Sequence, residues 1–457
     1  IFICLSYSRF LEMYQSARIA VLGFVIGHEV IIFAACATIV VATGYVTFRF
    51  KKNLQQINQL LFGIAIVLLI FPVSTIVSFE VKTGRILTID LTKGLTIGKS
   101  ESENKNLPDI YYFIFDRYAG PKSLREEYGF DNSKFFNYLK DKGFYLAEDA
   151  TTNYPKTSQS LGSSLNYEYI NFLTEKTNGG ATNDQTVVTP YTRNNKVIKF
   201  LKSKGYSYVH IGPAWNPTSI NPNADKNFIF KDGLYPGADE FTTGFLNTTI
   251  AAPIFKDLFR DKTAISQDPY NNDHRKRILF EMASIREVPE MPGPKFVFMH
   301  VLIPHDPFVF GKNCQPINEE EVKKHDHVVN YLNQLTCANT MIMAMIDDIL
   351  ETSKTPPVII LQSDEGPFPL KTPLPPKQAW GSATTPMLKE KFPILNAFLM
   401  PGAKKDQLYQ SITPVNSFRV IFNAYFDTKL PLLPDRNYVF KDENHYYQYT
   451  DVTDRLR

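Results

Sequence analysis

Uninterrupted apolar runs, each ending in a polar turn, recur along the C-terminal three quarters of the chain. A run without polar alternation is typical of a strand that is buried on both faces of a parallel sheet. Such runs occupy residues 109–116, 205–212, 295–303, 358–363 and 394–400. Segments with helical periodicity lie at 131–142, 194–204, 319–351 and 413–425. This alternation predicts an α/β sandwich with a central, mainly parallel sheet.

The N-terminal part has a different pattern. Residues 30–48 and 60–79 are two charge-free runs, each close to the length of about 20 residues that crosses a bilayer as a helix. Both runs are apolar all round, which favours transmembrane helices over a pair of buried core helices. Residues 1–8 are interpreted as the end of a further span. We therefore predict transmembrane helices over 1–80, a polar linker over 81–107 and a soluble catalytic domain over 108–457.

Charge and cysteine content bear on compartment and partners. Basic residues at 49–52 predict that the loop between the two spans is cytoplasmic. Everything after residue 79 would then lie outside the cytoplasm. Basic residues also flank the other ends of the spans, so the difference in basic charge between the two sides is small. The net charge of +3 indicates no nucleic-acid partner. Cys4 and Cys36 lie in apolar stretches and are interpreted as inert. Cys314 and Cys337 lie in the polar part; spacing leaves two free thiols open, while an extracytoplasmic location favours a disulfide.

Acidic residues stand where predicted central strands end. Asp116 closes the first strand, and Asp364 and Glu365 follow the strand at 358–363 before a Gly-Pro turn. Ligands bind at the carboxyl ends of strands in open α/β sheets, and buried carboxylates are costly unless they are paired or bind a cation. The three acids are therefore predicted metal ligands. The alternative is a solvated turn at the end of a strand.

Other side chains complete a candidate site. Thr157 begins a predicted helix, either as its N-cap or as a nucleophile whose phosphorylated form lies on the helix N-terminus. Oxygen ligands from the three acids and Thr157 favour one divalent metal, Mn²⁺ or Mg²⁺, with Ca²⁺ or Zn²⁺ also compatible. His300 is more simply a strand histidine of the core than a catalytic one. Arg117 and Lys156 are either phosphate-binding or surface residues.

These motifs resemble a known family. Phe-Asp-Arg-Tyr at Asp116, Lys-Thr-Ser at Thr157, Ile-Pro-His-x-Pro-Phe at His305 and Ser-Asp-Glu-Gly at Asp364 look like the alkaline phosphatase superfamily. The most similar branch contains the membrane-anchored, sulfatase-like proteins related to lipoteichoic acid synthases. The resemblance implies that Asp116, Thr157 and Asp364 bind metal, that Thr157 is also the nucleophile, and that His305 contacts the substrate phosphate or leaving group. Glu365 stands where the family usually has His; it stays a predicted ligand, in a harder and more anionic site.

The resemblance implies a membrane-anchored, metal-dependent transferase or hydrolase. It would act outside the cytoplasm on a phosphorylated lipid head group or cell-envelope glycan through a covalent intermediate on Thr157. Sulfatases convert a Cys or Ser to formylglycine, and Thr157 cannot be converted in that way, so phosphoryl-type substrates are favoured over sulfate esters. A phosphodiesterase or phosphatase, a sulfatase-like hydrolase and a non-catalytic protein that binds the envelope are the alternatives. The bilayer is a predicted partner, and the oligomeric state is not predicted.

Overall fold

A computed structural model describes residues 107–231, 269–371 and 379–457, together with Phe245 and short segments between residues 19 and 74. The chain divides into two compact units, Ile1–Asp90 with Glu240–Arg260 and Leu91–Asp239 with Asp261–Arg457. Among the described residues, no helix combines the length and apolar composition that would span a bilayer. The predicted spans at 30–48 and 60–79 lie largely outside the described residues, with helical pieces described at 41–45 and 62–67. Most of the predicted linker at 81–107 also lies outside them.

The second unit contains most of the described helices and strands. Its helices are α1 (Pro121–Glu126), α2 (Ser133–Asp141), α3 (Thr157–Ser164), α4 (Leu173–Lys176), α5 (Thr189–Arg193), α6 (Lys196–Ser203), α7 (Asn216–Ser219), α8 (Pro269–Ser284), α9 (Glu319–Lys323), α10 (His327–Thr352), α11 (Thr385–Lys391) and α12 (Pro414–Phe426). Short 3₁₀ turns occupy Gln185–Val188, Ile285–Glu287, Trp380–Ser382 and Thr453–Arg455.

The strands form one large sheet and two small hairpins. The strands are β1 (Ile19–Val21), β2 (Phe24–Ile26), β3 (Ile110–Phe115), β4 (Tyr145–Leu146), β5 (Ser207–Ile211), β6 (Lys226–Phe228), β7 (Lys295–Val301), β8 (Val358–Gln362), β9 (Asn396–Leu399), β10 (Tyr438–Phe440) and β11 (Tyr449–Asp451). The seven-stranded sheet has the order β4-β9-β8-β3-β7-β5-β6. Neighbours from β8 to β6 are parallel, whereas β9 is antiparallel to both β4 and β8.

Helices cover both faces of the sheet, which explains why its central strands are apolar without alternation. Residues of β3 alternate between two core clusters: Tyr111 and Phe113 pack with the long helix α10, whereas Tyr112 and Ile114 pack with α3, α6 and α12. All six residues of β3 are buried. The predicted α/β fold with a central, mainly parallel sheet is therefore confirmed. The α3 face of the sheet is the one that carries the candidate site.

Helix boundaries follow local capping signals, and two of them correct the prediction from the sequence. The single helix predicted over 319–351 is two helices, α9 and α10. Asp326 separates them because its side chain accepts a hydrogen bond from Val329 N at 2.8 Å and so caps α10. Lys156, rather than Thr157, occupies the N-cap position of α3, so the proposed capping role of Thr157 is wrong. Helix α8 and strands β4 and β6 were not predicted, since they are short or lack a clear period.

Cys314 and Cys337 form a disulfide, as predicted, with their Cα atoms 4.9 Å apart. The bond joins the loop after β7 to the middle of α10. Cys337 is fully buried, so this crosslink fixes the helix that packs on one face of the sheet. The loop carrying His305 is thereby tethered to the same helix. Cys4 and Cys36 lie outside the described residues.

The disulfide yields a stability prediction. The Cys314→Ser/Cys337→Ser double variant should lose about 3 kcal/mol of unfolding free energy, since the bond restricts the unfolded chain over a loop of this length. The measurement is chemical unfolding of the full chain in detergent. Adding a thiol reductant should lower the stability of the parent protein by a similar amount and leave the double variant unchanged. A loss below about 1 kcal/mol would contradict this role.

Candidate metal centre

Strand register brings two of the predicted acids side by side. In the parallel pair β3–β8, Ile114 is the partner of Gln362, so Asp116 and Asp364, each two residues further on, end their strands at the same level. In the pair β3–β7, Ile114 is the partner of His300. Side chains two residues apart on a strand share a face, so all three lie on the α3 face of the sheet. One end of the sheet thus gathers two carboxylates and an imidazole.

The three side chains converge on one point. Asp116, His300 and Asp364 each offer a ligand atom, and these atoms lie within 4.8 Å of one another. Their side chains are buried, with Asp116 3% exposed and the other two fully buried. Glu365 is not a member of this group among the described residues. Two carboxylates and one imidazole form a mixed oxygen and nitrogen donor set, which suits a divalent metal.

Thr157 reaches this group from the first turn of α3. Its side chain interacts with the Asp364 carboxyl and acts to lower the pKa of that group. Leu161 and Leu165 anchor the same helix in the core against β3 and β7, which holds Thr157 at the end of the sheet. The sequence therefore predicted the position of Thr157 at a helix start, and tertiary packing brings that start to Asp364.

The charges of the site favour a bound cation. Burial raises the pKa of Asp364 well above its ordinary range, and the charges of Asp116 and Glu365 raise it further. For Asp116, burial also acts to raise the pKa, but the nearby His305, His300 and Arg117 outweigh it, so that pKa is lowered. In the described part of the chain, one oxygen of each aspartate is buried without a hydrogen-bond partner. Paired buried acids with orphaned oxygens fit a bound divalent cation, which would neutralise both.

His300 is oriented toward the two acids. Its Nδ1 atom lies 2.8 Å from Thr218 Oγ1, and its Nε2 atom lies 3.5 Å from Asp116 Oδ2. Within the described residues, Nε2 has no hydrogen-bond partner. A ring held at Nδ1 by a second residue with a free Nε2 is the arrangement of metal-binding histidines. The interpretation of His300 as a satisfied core histidine does not account for this buried, unpaired nitrogen.

Glu365 turns toward a different set of partners. Its Oε1 atom lies 2.8 Å from Lys391 Nζ and 3.4 Å from Arg117 Nε. Lys391 is fully buried, and its ammonium also donates to the Gly366 carbonyl at 2.9 Å. Burial lowers the pKa of Lys391 to about 8, although the Glu365 charge acts in the opposite direction. Glu365 therefore belongs to a buried ion pair behind the strand end.

Arg117 links this ion pair to the loop of His305. Its Nη1 atom lies 2.6 Å from Asp306 Oδ1, and its guanidinium lies 3.9 Å from the centre of the Phe368 ring. The backbone of Arg117 is left-handed, with φ of 61°, a conformation that non-glycine residues adopt at few sites, often functional ones. Arg117 is thus a buried connector between the two loops at this end of the sheet.

His305 and Lys156 border the centre. The Nδ1 atom of His305 bonds the Asp306 carbonyl, so Nδ1 carries the proton and Nε2 is free to accept one. Burial lowers the pKa of His305, which keeps the ring neutral near neutral pH, although the charge of Asp116 acts in the opposite direction. Lys156 directly precedes Thr157, and its ammonium lies 4.8 Å from the centre of the Phe368 ring. Burial also lowers the pKa of Lys156.

Comparisons with known proteins were made on sequence and on structure. No family model matches the chain, and no curated protein matches its sequence. The chain is similar to the C-terminal periplasmic domain of EptC from Escherichia coli, with 13% identity, a TM-score of 0.49, and coverage of 78% of this chain and 94% of that domain. It is also similar to the periplasmic domain of phosphoethanolamine transferase EptC from Campylobacter jejuni, with 10% identity, a TM-score of 0.41 and coverage of 72% and 92%.

A hydrolase is also among the similar structures. The phosphonate monoester hydrolase of Agrobacterium radiobacter has 10% identity, a TM-score of 0.44, and coverage of 73% of this chain and 80% of that one. These transferase domains and this hydrolase, with several sulfatases, are members of the alkaline phosphatase superfamily. The sequence motifs at Asp116, Thr157, His305 and Asp364 resemble this same superfamily.

The buried ion pair yields a prediction about stability. Lys391→Met should lower the unfolding free energy by about 3 kcal/mol, because it leaves the Glu365 carboxylate buried with only Arg117 near it. The Lys391→Met/Glu365→Gln double variant should recover most of this loss. Lys140→Met is the control, since Lys140 pairs with Glu148 at 2.7 Å on the surface, where such a pair contributes below about 1 kcal/mol. Equal losses for both lysine variants in chemical unfolding would contradict a buried pair.

Proposed function

We propose that this chain is a metal-dependent enzyme that transfers a phosphoryl-type group through a covalent intermediate on Thr157. The observation that carries the proposal is the group of three buried donors, Asp116, His300 and Asp364, whose ligand atoms lie within 4.8 Å of one another, with the Thr157 side chain acting on the pKa of Asp364. A nucleophilic hydroxyl beside a carboxylate and a metal-binding group matches the requirements of phosphoryl transfer. The acceptor is either a hydroxyl group of an envelope molecule or water.

The residues divide into metal-holding and reacting groups. Asp116 and Asp364 would hold the cation, together with the Thr157 oxygen. A divalent cation supplies positive charge that lowers the pKa of a nearby hydroxyl and stabilises the developing charge of a phosphoryl transition state. The N-terminus of α3 directs free backbone N–H groups at the same region, which favours an anion bound to Thr157.

The first step forms the covalent intermediate. A bond forms between Thr157 Oγ1 and phosphorus while the bond from phosphorus to the oxygen of the leaving group breaks. The hydroxyl proton of Thr157 passes to the Asp364 carboxylate, with which the Thr157 side chain interacts. The leaving oxygen takes a proton from solvent.

The second step regenerates the nucleophile. The acceptor hydroxyl, or water, loses its proton to Nε2 of His305, which is neutral and unprotonated at that atom. The acceptor oxygen forms a bond to phosphorus, the bond from Thr157 Oγ1 to phosphorus breaks, and Oγ1 recovers the proton held by Asp364. His305 then returns its proton to solvent. This role is that of a general base whose pKa lies below its ordinary value.

A cleft beside His305 is a suitable place for the acceptor. It encloses about 370 Å³ between the loop of Pro304–Phe308, the start of α10 and the loop of Pro367–Leu370. Its walls combine rings, from Phe308, Tyr331 and Phe368, with charges from Arg117 and Asp306. Pockets with apolar walls and a few convergent polar groups are typical of small-molecule sites. This composition supports a polar head group or sugar hydroxyl as the acceptor.

The location of the enzyme is part of the proposal. The two apolar N-terminal runs support membrane anchoring, and the Cys314–Cys337 disulfide supports an oxidising, extracytoplasmic compartment. The EptC domains that are similar to this chain are periplasmic. We therefore propose that the donor is a phosphorylated lipid head group or an envelope glycan that the anchored domain meets at the bilayer surface.

Capture of the intermediate tests the proposed function. Full-length protein in detergent, loaded with Mn²⁺ or Zn²⁺ and incubated with phosphodiester lipids, should give a mass increase on the peptide that contains Thr157. Thr157→Ala should abolish this adduct and the turnover, because it removes the nucleophilic oxygen without changing core volume. Ser158→Ala is the control, since the adjacent Ser158 hydroxyl contacts Tyr446 at 3.1 Å rather than the metal centre. A protein that binds metal but forms no adduct with any phosphodiester would favour the non-catalytic alternative.

His305 should act in the second step. His305→Gln should lower turnover by about 10²- to 10⁴-fold, the usual contribution of a general base. The Thr157 adduct should accumulate in this variant, because its formation does not use His305. Rapid quenching followed by mass spectrometry measures the adduct over time. Loss of adduct formation at the same rate as turnover would assign His305 to the first step instead.

A further inference from the structure

We infer that His300, rather than Glu365, is the third protein ligand of the metal, and that Glu365 holds the neighbouring cations in place. The inference deepens the proposed function and rests on its metal centre. It differs from the ligand set predicted from the sequence, in which Glu365 replaced the histidine usual in the family. The inferred third ligand therefore lies on β7, and not in the turn after β8.

Strand geometry is the first support. Asp364 and Glu365 lie in the bend that follows β8, and their side chains turn to different partners. Asp364 belongs to the group with Asp116 and His300, whereas Glu365 pairs with Lys391 and Arg117. His300 projects from β7 on the same face as Phe296 and Phe298, the α3 face. The face that carries Asp116 and Asp364 is thus completed by His300.

The unpaired atoms are the second support. His300 Nε2 has no hydrogen-bond partner among the described residues, although the side chain is fully buried. Its other ring nitrogen is held by Thr218 at 2.8 Å, which fixes the ring so that Nε2 faces Asp116. A buried imidazole with one nitrogen anchored and the other aimed at two carboxylates matches a metal ligand with its outer-shell partner.

Charge balance is the third support. Arg117, Lys156 and Lys391 each place their charged group within 5 Å of the Phe368 ring centre, at 3.9, 4.8 and 4.3 Å. Glu365 lies beside them and bonds two of the three. If its carboxylate moved to the metal, Lys391 would lose its counter-charge while its ammonium stayed fully buried, which is strongly unfavourable. The ion pairs with Lys391 and Arg117 therefore hold the Glu365 carboxylate away from the metal.

The ligand exchange changes the expected metal. Two carboxylates, one imidazole and a hydroxyl oxygen suit Zn²⁺ or Mn²⁺, whereas Mg²⁺ and Ca²⁺ prefer oxygen ligands alone. We therefore expect Zn²⁺ or Mn²⁺ to bind more tightly than Mg²⁺ or Ca²⁺. Glu365→His, which restores the residue usual in the family, should not add a ligand; it should instead leave Lys391 without its counter-charge.

Electron spin-echo spectroscopy of the Mn²⁺-loaded full chain tests the assignment directly, because it detects ¹⁴N nuclei bonded to the metal. The parent protein should show imidazole nitrogen coupling. His300→Gln should remove the coupling, and Glu365→Gln should retain it. His210→Gln is the matched control, since His210 is a buried strand histidine that also contacts Thr218, through the carbonyl at 2.7 Å, but lies outside the metal group. Mn²⁺ affinity, measured by calorimetry, should fall at least about 10-fold for His300→Gln and less for Glu365→Gln.

Three results would overturn the inference. The first is the absence of nitrogen coupling in the metal-loaded parent protein, a measurement that does not depend on any variant folding correctly. The second is coupling that persists in His300→Gln, which would assign the ligand to another histidine such as His305. The third is a larger loss of affinity in Glu365→Gln than in His300→Gln. In each case the Thr157 adduct of the parent protein can still form, so the proposed function and this ligand assignment fail separately.

Discussion

The repulsion between two buried carboxylates is the constraint on which this site depends. Asp116 and Asp364 end neighbouring parallel strands at the same level, and the register of β3 and β8 leaves neither of them a route to solvent. If both carboxylates were ionised without a counter-charge, their burial would cost more free energy than their hydrogen bonds provide. The ligand atom of His300 lies within 4.8 Å of those of both aspartates, and a bound divalent cation would neutralise the two charges.

A second charged layer, made of Glu365, Lys391 and Arg117, lies next to the group of Asp116, His300 and Asp364. Glu365 follows Asp364 in the chain but pairs with Lys391 and Arg117. Two adjacent acids therefore belong to different groups: Asp364 to the candidate metal centre and Glu365 to the ion pairs. The ion pair is buried and hydrogen-bonded to the Gly366 carbonyl, which fixes the turn that ends β8. Arg117 extends the layer to Asp306 and so to the loop of His305. The position of the His305 loop thus depends on Arg117, one of the two cations that pair with Glu365.

Thr157 and His305 lie on elements that are anchored in different ways. Thr157 lies on a helix that packs in the core, whereas His305 lies on a loop tethered through the Cys314–Cys337 bond to α10. The cleft of about 370 Å³ opens between that loop and the loop after Glu365. Under the proposed mechanism, a nucleophile on a core-anchored helix opposite a base on a loop would let the acceptor vary while the covalent step stays the same.

Local patterns in the sequence were sufficient for the sheet class, the acids at strand ends, the start of α3 near Thr157 and the disulfide cysteines, because each depends on short-range periodicity, on turn residues or on cysteine chemistry. The cap at Asp326 is also a local signal, but it lies within a long segment of helical periodicity that predicts one continuous helix. The membrane segments stay predictions. The tertiary structure alone decided the orientations of His300 and Glu365. Whether a strand side chain faces a metal or the core depends on which strands are neighbours, and whether an acid faces a metal or a lysine depends on a helix that packs from elsewhere in the chain.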